Sequence, residues 1–274
     1  MSKVLAVVNQ KGGVGKTTTS VNLAASLAAL EKKTLVIDMD PQANATSGMG
    51  LGETSFADRQ IYHVLLEQRS LREILQPTAI EHLFCAPATA DLIGYEVEAI
   101  DLPDREHRLR QAVASVRDEF DYILIDCPPS LSLLTINALC AADAVLVPLQ
   151  AEYYALEGLS RLMQTVELVR AHLHPTLSIE GIVLTMFDVR NNLSHQVARE
   201  VEGHFPEQIF KTRIPRNIRL SEAPSFGKPI ITYDIKSVGA QSYLALAEEL
   251  ISKHQSTSKG VNHERATTPA PSPR

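Results

Sequence analysis

Short apolar runs alternate with longer amphipathic stretches along most of the chain. Five such runs lie at Lys3–Asn9, Lys33–Asp40, Asp121–Pro129, Asp143–Leu149 and Ile179–Phe187. Because they are apolar on both faces, they are typical of strands in a parallel sheet that is covered on both sides. Between them apolar residues recur at helical spacing, as Leu159, Leu162 and Val166 do within Gly158–Leu173. The pattern predicts an α/β fold with a doubly wound, mostly parallel sheet, helices on both faces, and ligands at the carboxyl ends of the strands.

The character of the chain changes after a last predicted helix, Val238–His254. Residues 255–274 contain one β-branched apolar residue, Val261, and three prolines. Such a segment buries too little apolar surface to order itself. We therefore expect a single domain over residues 1–254 and a disordered C-terminal tail over residues 255–274.

Composition narrows the class of protein. The chain has 274 residues, of which 45% are hydrophobic, and no apolar run approaches the length that spans a bilayer. Its three cysteines, Cys85, Cys127 and Cys140, show no C-x-x-C spacing, so we expect reduced thiols in a cytoplasmic protein rather than a disulfide or zinc framework. The net charge of −6 argues weakly against a nucleic-acid partner, unless positive charge is concentrated locally.

The first predicted strand runs into the segment "NQKGGVGKTTTS", Asn9–Ser20. Its end fits the phosphate-binding pattern Gly-x-x-x-x-Gly-Lys-Ser/Thr, but Gln10 stands where that pattern has its first glycine. The glycines allow backbone N–H groups to converge on phosphate oxygens, and the start of the next helix adds partial positive charge. We expect Lys16 to bridge the terminal phosphates and the Thr17 hydroxyl to bind Mg²⁺. The predicted nucleotide contacts here are Gly12, Gly13, Val14, Gly15, Lys16, Thr17 and Thr18.

Carboxylates end two other predicted strands. Asp126 ends the run in "YILIDCPPS", where a carboxylate can hold Mg²⁺ through a water molecule. In "DMDPQANAT", Asp38 and Asp40 share one face of a strand, and a carboxylate near a terminal phosphate can orient the attacking water. For Asp38 a strand-end capping role is an equal alternative, whereas for Asp40, beside the turn, we favour catalysis. The predicted Mg²⁺ ligands are Thr17, Asp40 and Asp126.

Four segments together carry a resemblance to a known family. They are "KGGVGKTTTSVNLA", "VIDMDPQANATSG", "ILIDCPPS" and "IPRNIRLSEAPSFGKPI". From about Lys3 to about Ser252 the chain resembles the ParA/Soj chromosome- and plasmid-partition ATPases, P-loop NTPases of the deviant Walker A type. The first segment alone indicates the wider class, which includes MinD and the nitrogenase iron protein. The third and fourth narrow it to ParA.

This resemblance implies a role for a lysine that the loop pattern leaves unexplained. Lys11 is expected to reach across a homodimer to the phosphates of the partner's ATP, so that two ATP molecules lie between the protomers. The catalytic residues are then Lys11, Lys16, Asp40 and Asp126. The resemblance also implies slow ATP hydrolysis with Mg²⁺, a ParB-type centromere-binding partner that stimulates it, and contacts of Pro215 and Asn217 with adenine.

Basic residues are concentrated in the second half of the chain. Residues 208–228 contain five lysines and arginines against the single acid Glu222. The resemblance places nonspecific DNA-binding arginines at Arg190 and at one or both of Arg216 and Arg219. A solvated face, or arginines that hold loops in place, is the alternative. No base-reading motif is found, so we expect nonspecific binding to double-stranded DNA and association with the nucleoid. The candidates are Arg190, Lys211, Arg213, Arg216, Arg219, Lys228 and Lys236.

Other members of the wider class are rival interpretations. The tail lacks the apolar face of a MinD-like membrane helix, so no membrane docking is expected. The three cysteines lie in ordinary apolar segments, which argues against an iron–sulfur cluster. A metabolic ATP-dependent ligase needs a substrate pocket that the sequence does not indicate. A regulator that binds ATP and signals by protein contact stays open as the alternative to a partition ATPase.

Overall fold

The computed structural model describes residues 2–52, 54, 56 and 58–265. Its centre is a seven-stranded sheet in the order β3-β4-β2-β5-β1-β6-β7, parallel except for the β3–β4 pair. The strands are β1 Lys3–Val7, β2 Thr34–Asp38, β3 Gln76–Pro77, β4 Leu83–Ala86, β5 Tyr122–Asp126, β6 Ala144–Gln150 and β7 Ser178–Thr185. The sequence misses β3 and β4, because runs of two and four residues are too short for a periodicity to show.

Helices cover both faces of the sheet. They are α1 Lys16–Ala29, α2 Asn44–Gly48, α3 Ile61–Leu65, α4 Leu71–Ile74, α5 Leu92–Glu98, α6 Arg108–Ala114, α7 Leu133–Ala141, α8 Ala155–His172, α9 Asn192–His204, α10 Ile218–Glu222, α11 Ile230–Tyr233 and α12 Val238–Arg265. Within β1, Val4 and Ala6 belong to one buried cluster, while Leu5 and Val7 belong to the other. The predicted fold class, a doubly wound α/β sheet, is confirmed.

Register brings three loops to one edge of the sheet. Val7 and Asp38 both lie opposite Asp126, on the two sides of β5. Because these strands are parallel, the loops that follow β1, β2 and β5 start side by side at the carboxyl edge. These are the loops in which the sequence predicts the nucleotide site.

The opposite, amino edge of the sheet holds the last helix in place. Glu180, 4% exposed, forms ion pairs with Lys3, Lys253 and His254, and the other ring nitrogen of His254 lies 3.1 Å from the Tyr122 hydroxyl. Burial alone would raise the pKa of Glu180, but the hydrogen bond from His254 and the nearby positive charges outweigh it and lower this pKa to about 2. This cluster joins α12 to the first residues of β1, β5 and β7.

Helix α12 runs past His254, where the sequence predicts its end. The expected boundary is too early because no proline interrupts the backbone hydrogen bonds before Pro269. Residues 266–274 lie outside the described residues, so the disorder expected there stays a prediction. No helix in the part of the chain that the structure describes is long and apolar enough to cross a membrane.

Candidate nucleotide site

The glycine-rich loop joins β1 to α1 in a conformation that two of its glycines make possible. Gly13 and Gly15 have φ angles of 76° and 88°, in the left-handed region that side chains disfavour. The loop is attached to the end of β7, where the Thr185 hydroxyl donates to the Val14 carbonyl at 2.7 Å. A Cβ atom built on Gly12 meets nothing within 4 Å. Gly12 is therefore free of steric demands within its own protomer.

Asn9 braces the front of the loop, a role that the sequence does not reveal. Its side-chain amide donates to the Pro148 carbonyl at 2.8 Å, and its side-chain oxygen accepts from the Lys11 N–H at 2.9 Å. Gln10, the residue in place of the usual first glycine, donates to the Thr165 hydroxyl at 3.0 Å. The Asn9 contact attaches the loop to β6, and the Gln10 contact attaches it to α8.

Lys16 points back into the loop that precedes it. The side chain is only 7% exposed, and its amine donates to the Lys11 carbonyl at 3.1 Å. Burial lowers the pKa of Lys16, while the neighbouring Asp126, Cys127 and Asp40 act in the opposite direction. The amine thus lies where the loop can enclose an anion, with acidic groups beside it.

Asp126 is a fully buried carboxylate that two hydroxyl groups hold in place. It accepts from Thr17 Oγ1 at 2.8 Å and from Ser20 Oγ at 2.7 Å. Burial and the nearby charge of Asp38 raise its pKa to about 7. The structure thus brings together Thr17 and Asp126, two of the predicted Mg²⁺ ligands. Ser20 is a contact that the sequence prediction misses, although it lies one helical turn after Thr17 and therefore on the same face of α1.

Asp38 is also fully buried, but its bonds are structural. It accepts from the Asp40 N–H at 3.1 Å and from the Thr46 N–H and hydroxyl at 2.8 Å each. Burial raises its pKa to about 6, against the hydrogen bonds from Thr46, which lower it. These contacts tie α2 to the end of β2, so of the two alternatives for Asp38 the structure favours capping.

Asp40 lies at the mouth of the same site. It is 7% exposed, one of its carboxylate oxygens accepts from the Gln42 N–H at 2.9 Å, and its charge acts on both Lys16 and Asp126. The next turn places Ala43 at a φ angle of 52°. Asp40 is the predicted site carboxylate that keeps some solvent exposure, as a group that positions water must.

Pro215 and Asn217, the residues expected to contact adenine, have local structural roles. Pro215 pairs with Phe187 just beyond β7, and the side chain of Asn217 accepts from the Leu220 N–H at 3.3 Å as the N-cap of α10. Beside the first turn of α1 lies a cavity of about 450 Å³ that neither residue lines. Its lining is Thr17, Thr18, Val21, Asn22, Asn44, Ser47, Gly48, Pro224, Ser225 and Lys228. Lys228, predicted to contact DNA, therefore lies beside the nucleotide loop.

The other basic residues divide into paired and projecting side chains. Arg213 is half-buried between Glu202, at 2.8 Å, and the Phe187 ring, 4.7 Å from the ring centre. Arg190 is 88% exposed, with a 3.3 Å contact to Asp188, and that carboxylate also senses the charge of Arg216.

Arg219 is exposed, but it pairs with two acids, Glu222 at 2.9 Å and Asp234 at 3.5 Å. Lys211 and Lys236 are exposed as well. The backbone N–H of Lys211 donates to Glu249 of α12 at 2.8 Å. The structure thus groups Arg190 with Arg216 and places Lys211 beside α12.

The described part of the chain shows no cluster of three or more His, Cys, Asp or Glu side chains arranged to hold a metal by themselves. Cys85, Cys127 and Cys140 are buried free thiols. Burial raises the pKa of all three thiols. Protein ligands for Mg²⁺ here would act together with phosphate and water, as is usual for that ion.

Comparison with known proteins agrees with this geometry. A family model described as an AAA domain matches residues 2–179. The chain is 57% identical to the chromosome partitioning protein ParA of Myxococcus xanthus, over 92% of this chain and 89% of that protein. It is 54% identical to the sporulation initiation inhibitor protein Soj of Bacillus subtilis, over 91% and 98% of the two chains.

A solved structure is similar over the same length. The cobyrinic acid a,c-diamide synthase of Mycobacterium smegmatis, with bound ADP and magnesium, superposes with a TM-score of 0.82 at 33% identity, and the match covers 94% of this chain and 97% of that one. The resemblance seen in the sequence motifs is thereby confirmed. The chain belongs to the ParA/Soj family of chromosome-partitioning proteins, within the P-loop ATPases.

Proposed function

We propose that this protein is an ATP-dependent switch for DNA partition. It binds ATP with Mg²⁺, dimerises around two nucleotides, binds DNA nonspecifically as a dimer, and hydrolyses ATP slowly until a ParB-type partner accelerates the reaction. The observation that carries the proposal is the pair of hydroxyl bonds from Thr17 and Ser20 to Asp126, beside the inward-pointing Lys16. It joins a phosphate loop to a buried carboxylate.

The loop and helix suit a polyphosphate. Gly15 is the N-cap of α1, no side chain caps the helix, and its first turn carries no acidic residue. The N–H groups of that turn and the partial positive charge of the helix end are thus available to an anion. The Lys16 ammonium group would leave the Lys11 carbonyl and bind phosphate oxygens instead. It would then have a negatively charged partner in place of a neutral one.

The carboxylates suit a divalent cation. Asp38 and Asp126 are neighbours on adjacent strands inside the protein, and burial raises the pKa of both carboxyl groups. When bound, Mg²⁺ supplies charge neutralisation for the phosphates and for this pair. Thr17 and Asp126 would hold it, with Asp40 at the outer side of the site.

Within the site, Asp40 accounts best for hydrolysis. A carboxylate with some solvent exposure can orient a water molecule in line with the terminal phosphate and accept its proton as attack proceeds. Asp38 is a weaker candidate because its three hydrogen bonds, from Asp40 and Thr46, serve the fold. Slow turnover agrees with a site that is incomplete until a partner arrives.

The dimer rests on the front of the loop. Lys11 is 47% exposed, Gly12 adds no side chain, and Tyr153 and Tyr154 are exposed at the end of the neighbouring strand β6. A second copy seated here would place its own loop against these residues. Each Lys11 would then act on the partner's phosphates, and ATP would control DNA binding because a dimer doubles the number of phosphate contacts.

Two other functions deserve a direct comparison. The 33% identical structure is that of a diamide synthase, so a ligase acting on a small acid is a candidate. The higher identity to ParA and Soj, at 57% and 54%, favours partition. A regulator that signals by protein contact would share ATP binding and dimerisation but would not need stimulated hydrolysis.

The test combines size and turnover. Light scattering after size-exclusion chromatography should show a dimer with a nonhydrolysable ATP analogue and a monomer with ADP, and only the dimer should bind an arbitrary DNA duplex. Single-turnover hydrolysis should be slow and should accelerate with DNA and a ParB-type protein. A monomer in every nucleotide state contradicts the switch, and turnover that rises only with a carboxylic acid and an amide donor indicates the ligase.

A further inference from the structure

Lys11 is held inside its own protomer by an acid that the sequence did not single out. Its ammonium group forms an ion pair with Glu152, in the turn between β6 and α8. That turn is ordered, because the Glu152 N–H donates to the Gln150 carbonyl at 2.9 Å and the Ala155 N–H donates to the Glu152 carbonyl at 3.0 Å. These bonds fix the backbone from which the Glu152 side chain reaches Lys11.

Strand pairing makes this contact possible. β1 lies directly beside β6, so the loop that follows β1 and the turn that follows β6 leave the sheet as neighbours. Asn9 bonds to Pro148 and Gln10 bonds to Thr165 across the same boundary. Three successive residues of the loop, Asn9, Gln10 and Lys11, are thus attached to one side of their own protomer.

The ion pair and the proposed dimer contact exclude each other. An ammonium group that pairs with Glu152 cannot also reach the phosphates of a second protomer, so the pair must break before Lys11 acts across the interface. We propose that Glu152 is a positioning residue that holds Lys11 in the monomer and sets the threshold for ATP-dependent dimerisation. This inference rests on the proposed function, because it takes Lys11 to act on the partner's ATP.

The solvent exposure of the Lys11–Glu152 pair sets how much it can change the dimerisation constant. Lys11 is 47% exposed and Glu152 29% exposed, so solvent screens the pair. Exposed pairs of this kind shift an equilibrium by a factor of about 2–5. Both protomers of a dimer must release their Lys11, so the dimerisation constant should change by the square, about 4- to 25-fold. A triphosphate carries more charge than one carboxylate, which lets ATP draw Lys11 away.

The first measurement needs no dimer. In the nucleotide-free monomer, Glu152→Gln should raise the rate at which an amine-acylating reagent modifies Lys11 by about 2- to 5-fold, read by mass spectrometry of the Lys11 peptide. Glu157→Gln is the matched control, since Glu157 is an exposed acid of the same segment that pairs with Arg161 at 2.6 Å. Equal Lys11 acylation in Glu152→Gln and the wild type overturns the proposal.

The second measurement follows dimerisation with a nonhydrolysable ATP analogue. Glu152→Gln should lower the protein concentration at half-dimerisation by about 4- to 25-fold, and Glu157→Gln should leave it unchanged. Adding Glu152→Gln to Lys11→Ala should have no further effect, because the pair is already absent. This inference alone is contradicted if the wild type dimerises but Glu152→Gln leaves the protein concentration at half-dimerisation unchanged or raises it. A wild type that never dimerises contradicts the proposed function as well.

Discussion

Asp38 and Asp126 lie directly opposite each other on β2 and β5, and both carboxyl groups are fully buried. Asp38 accepts three hydrogen bonds from Asp40 and Thr46, whereas Asp126 accepts two from the hydroxyls of Thr17 and Ser20. Two acidic side chains therefore lie side by side in the protein interior. Hydrogen bonds within the fold satisfy Asp38, whereas Asp126 is placed to bind a ligand.

The first prediction concerns stability and pH. Burial raises the pKa of Asp126 to about 7, above the value of about 3.9 in an unfolded chain. The folded protein then binds the proton more tightly, so this group reduces the free energy of unfolding as pH rises from about 4 to about 7. Asp126→Asn should flatten that decline in the nucleotide-free protein, as urea unfolding at pH 5 and pH 8 would show.

The exposed Asp118 supplies the control, since Asp118→Asn should keep the wild-type pH dependence. The Asp126 variant should also lose the stabilisation that ATP with Mg²⁺ gives the wild type at pH 8. An unchanged difference between pH 5 and pH 8 in Asp126→Asn would show that the carboxyl group is not strained by burial.

The second prediction separates hydrolysis from assembly. Asp40→Ala removes the carboxylate that orients water but leaves the phosphate loop untouched. Single-turnover hydrolysis should fall about 100-fold or more, while dimers with ATP persist. The turn would lose its bond to Gln42, worth about 1 kcal/mol, which a melting curve can check. Hydrolysis at the wild-type rate would remove Asp40 from the catalytic residues.

The third prediction tests which glycine serves the interface. A side chain at Gly12 meets nothing within its own protomer, so Gly12→Val should keep ATP affinity and lose both the dimer and DNA binding. Gly13→Val is the contrast, because a φ angle of 76° strains a branched residue by about 1–3 kcal/mol. That variant should lose ATP affinity instead. A loss of ATP affinity in Gly12→Val would place Gly12 in the phosphate cradle.

The fourth prediction concerns DNA. Arg190→Ala or Arg219→Ala should leave ATP-dependent dimers intact and weaken binding to two unrelated duplexes equally, because phosphate contacts carry no base information. Each change removes two contacts per dimer, so the slope of log affinity against log salt should fall by about 2. Arg219 gives the stricter test, since it must leave Glu222 and Asp234 to contact a phosphate.

Arg213→Ala serves as the structural counterpart. Arg213 packs on Phe187 and pairs with Glu202, so its loss should lower the melting temperature and leave the salt slope as it is. Unchanged slopes in both the Arg190 and Arg219 variants would assign DNA to another surface. A much larger effect on one duplex than on the other would show that bases are read.

The sequence predicts the part of this site that depends on local pattern. Strands that are apolar on both faces, and a glycine-rich turn between a strand and a helix, are visible within a few residues, and they locate Lys16, Thr17 and Asp126. The contacts that complete the site join distant residues. Thr46 follows Asp38 by eight positions and Glu152 lies far beyond Lys11, and both are ordinary polar residues until the fold brings them together.

Charge shows the same limit. The basic run near Arg213 and Arg219 looks uniform in the sequence, because a linear pattern does not reveal which acid each cation meets. Glu202 and Asp234 belong to other segments, and only the folded chain shows that they pair with these arginines. Exposure, which distinguishes Arg190 from Arg213, is likewise a property of packing.

The ion pairs around Glu180 have a practical consequence for imaging and purification. They fix His254 at the amino edge of the sheet, across the domain from the loop that carries Lys11 and Gly12. A fluorescent label attached to α12 at the level of His254 would therefore lie behind the domain, leaving the face proposed for dimerisation open. A fusion ahead of Lys3 would start beside Glu180 and risk disturbing that ion pair.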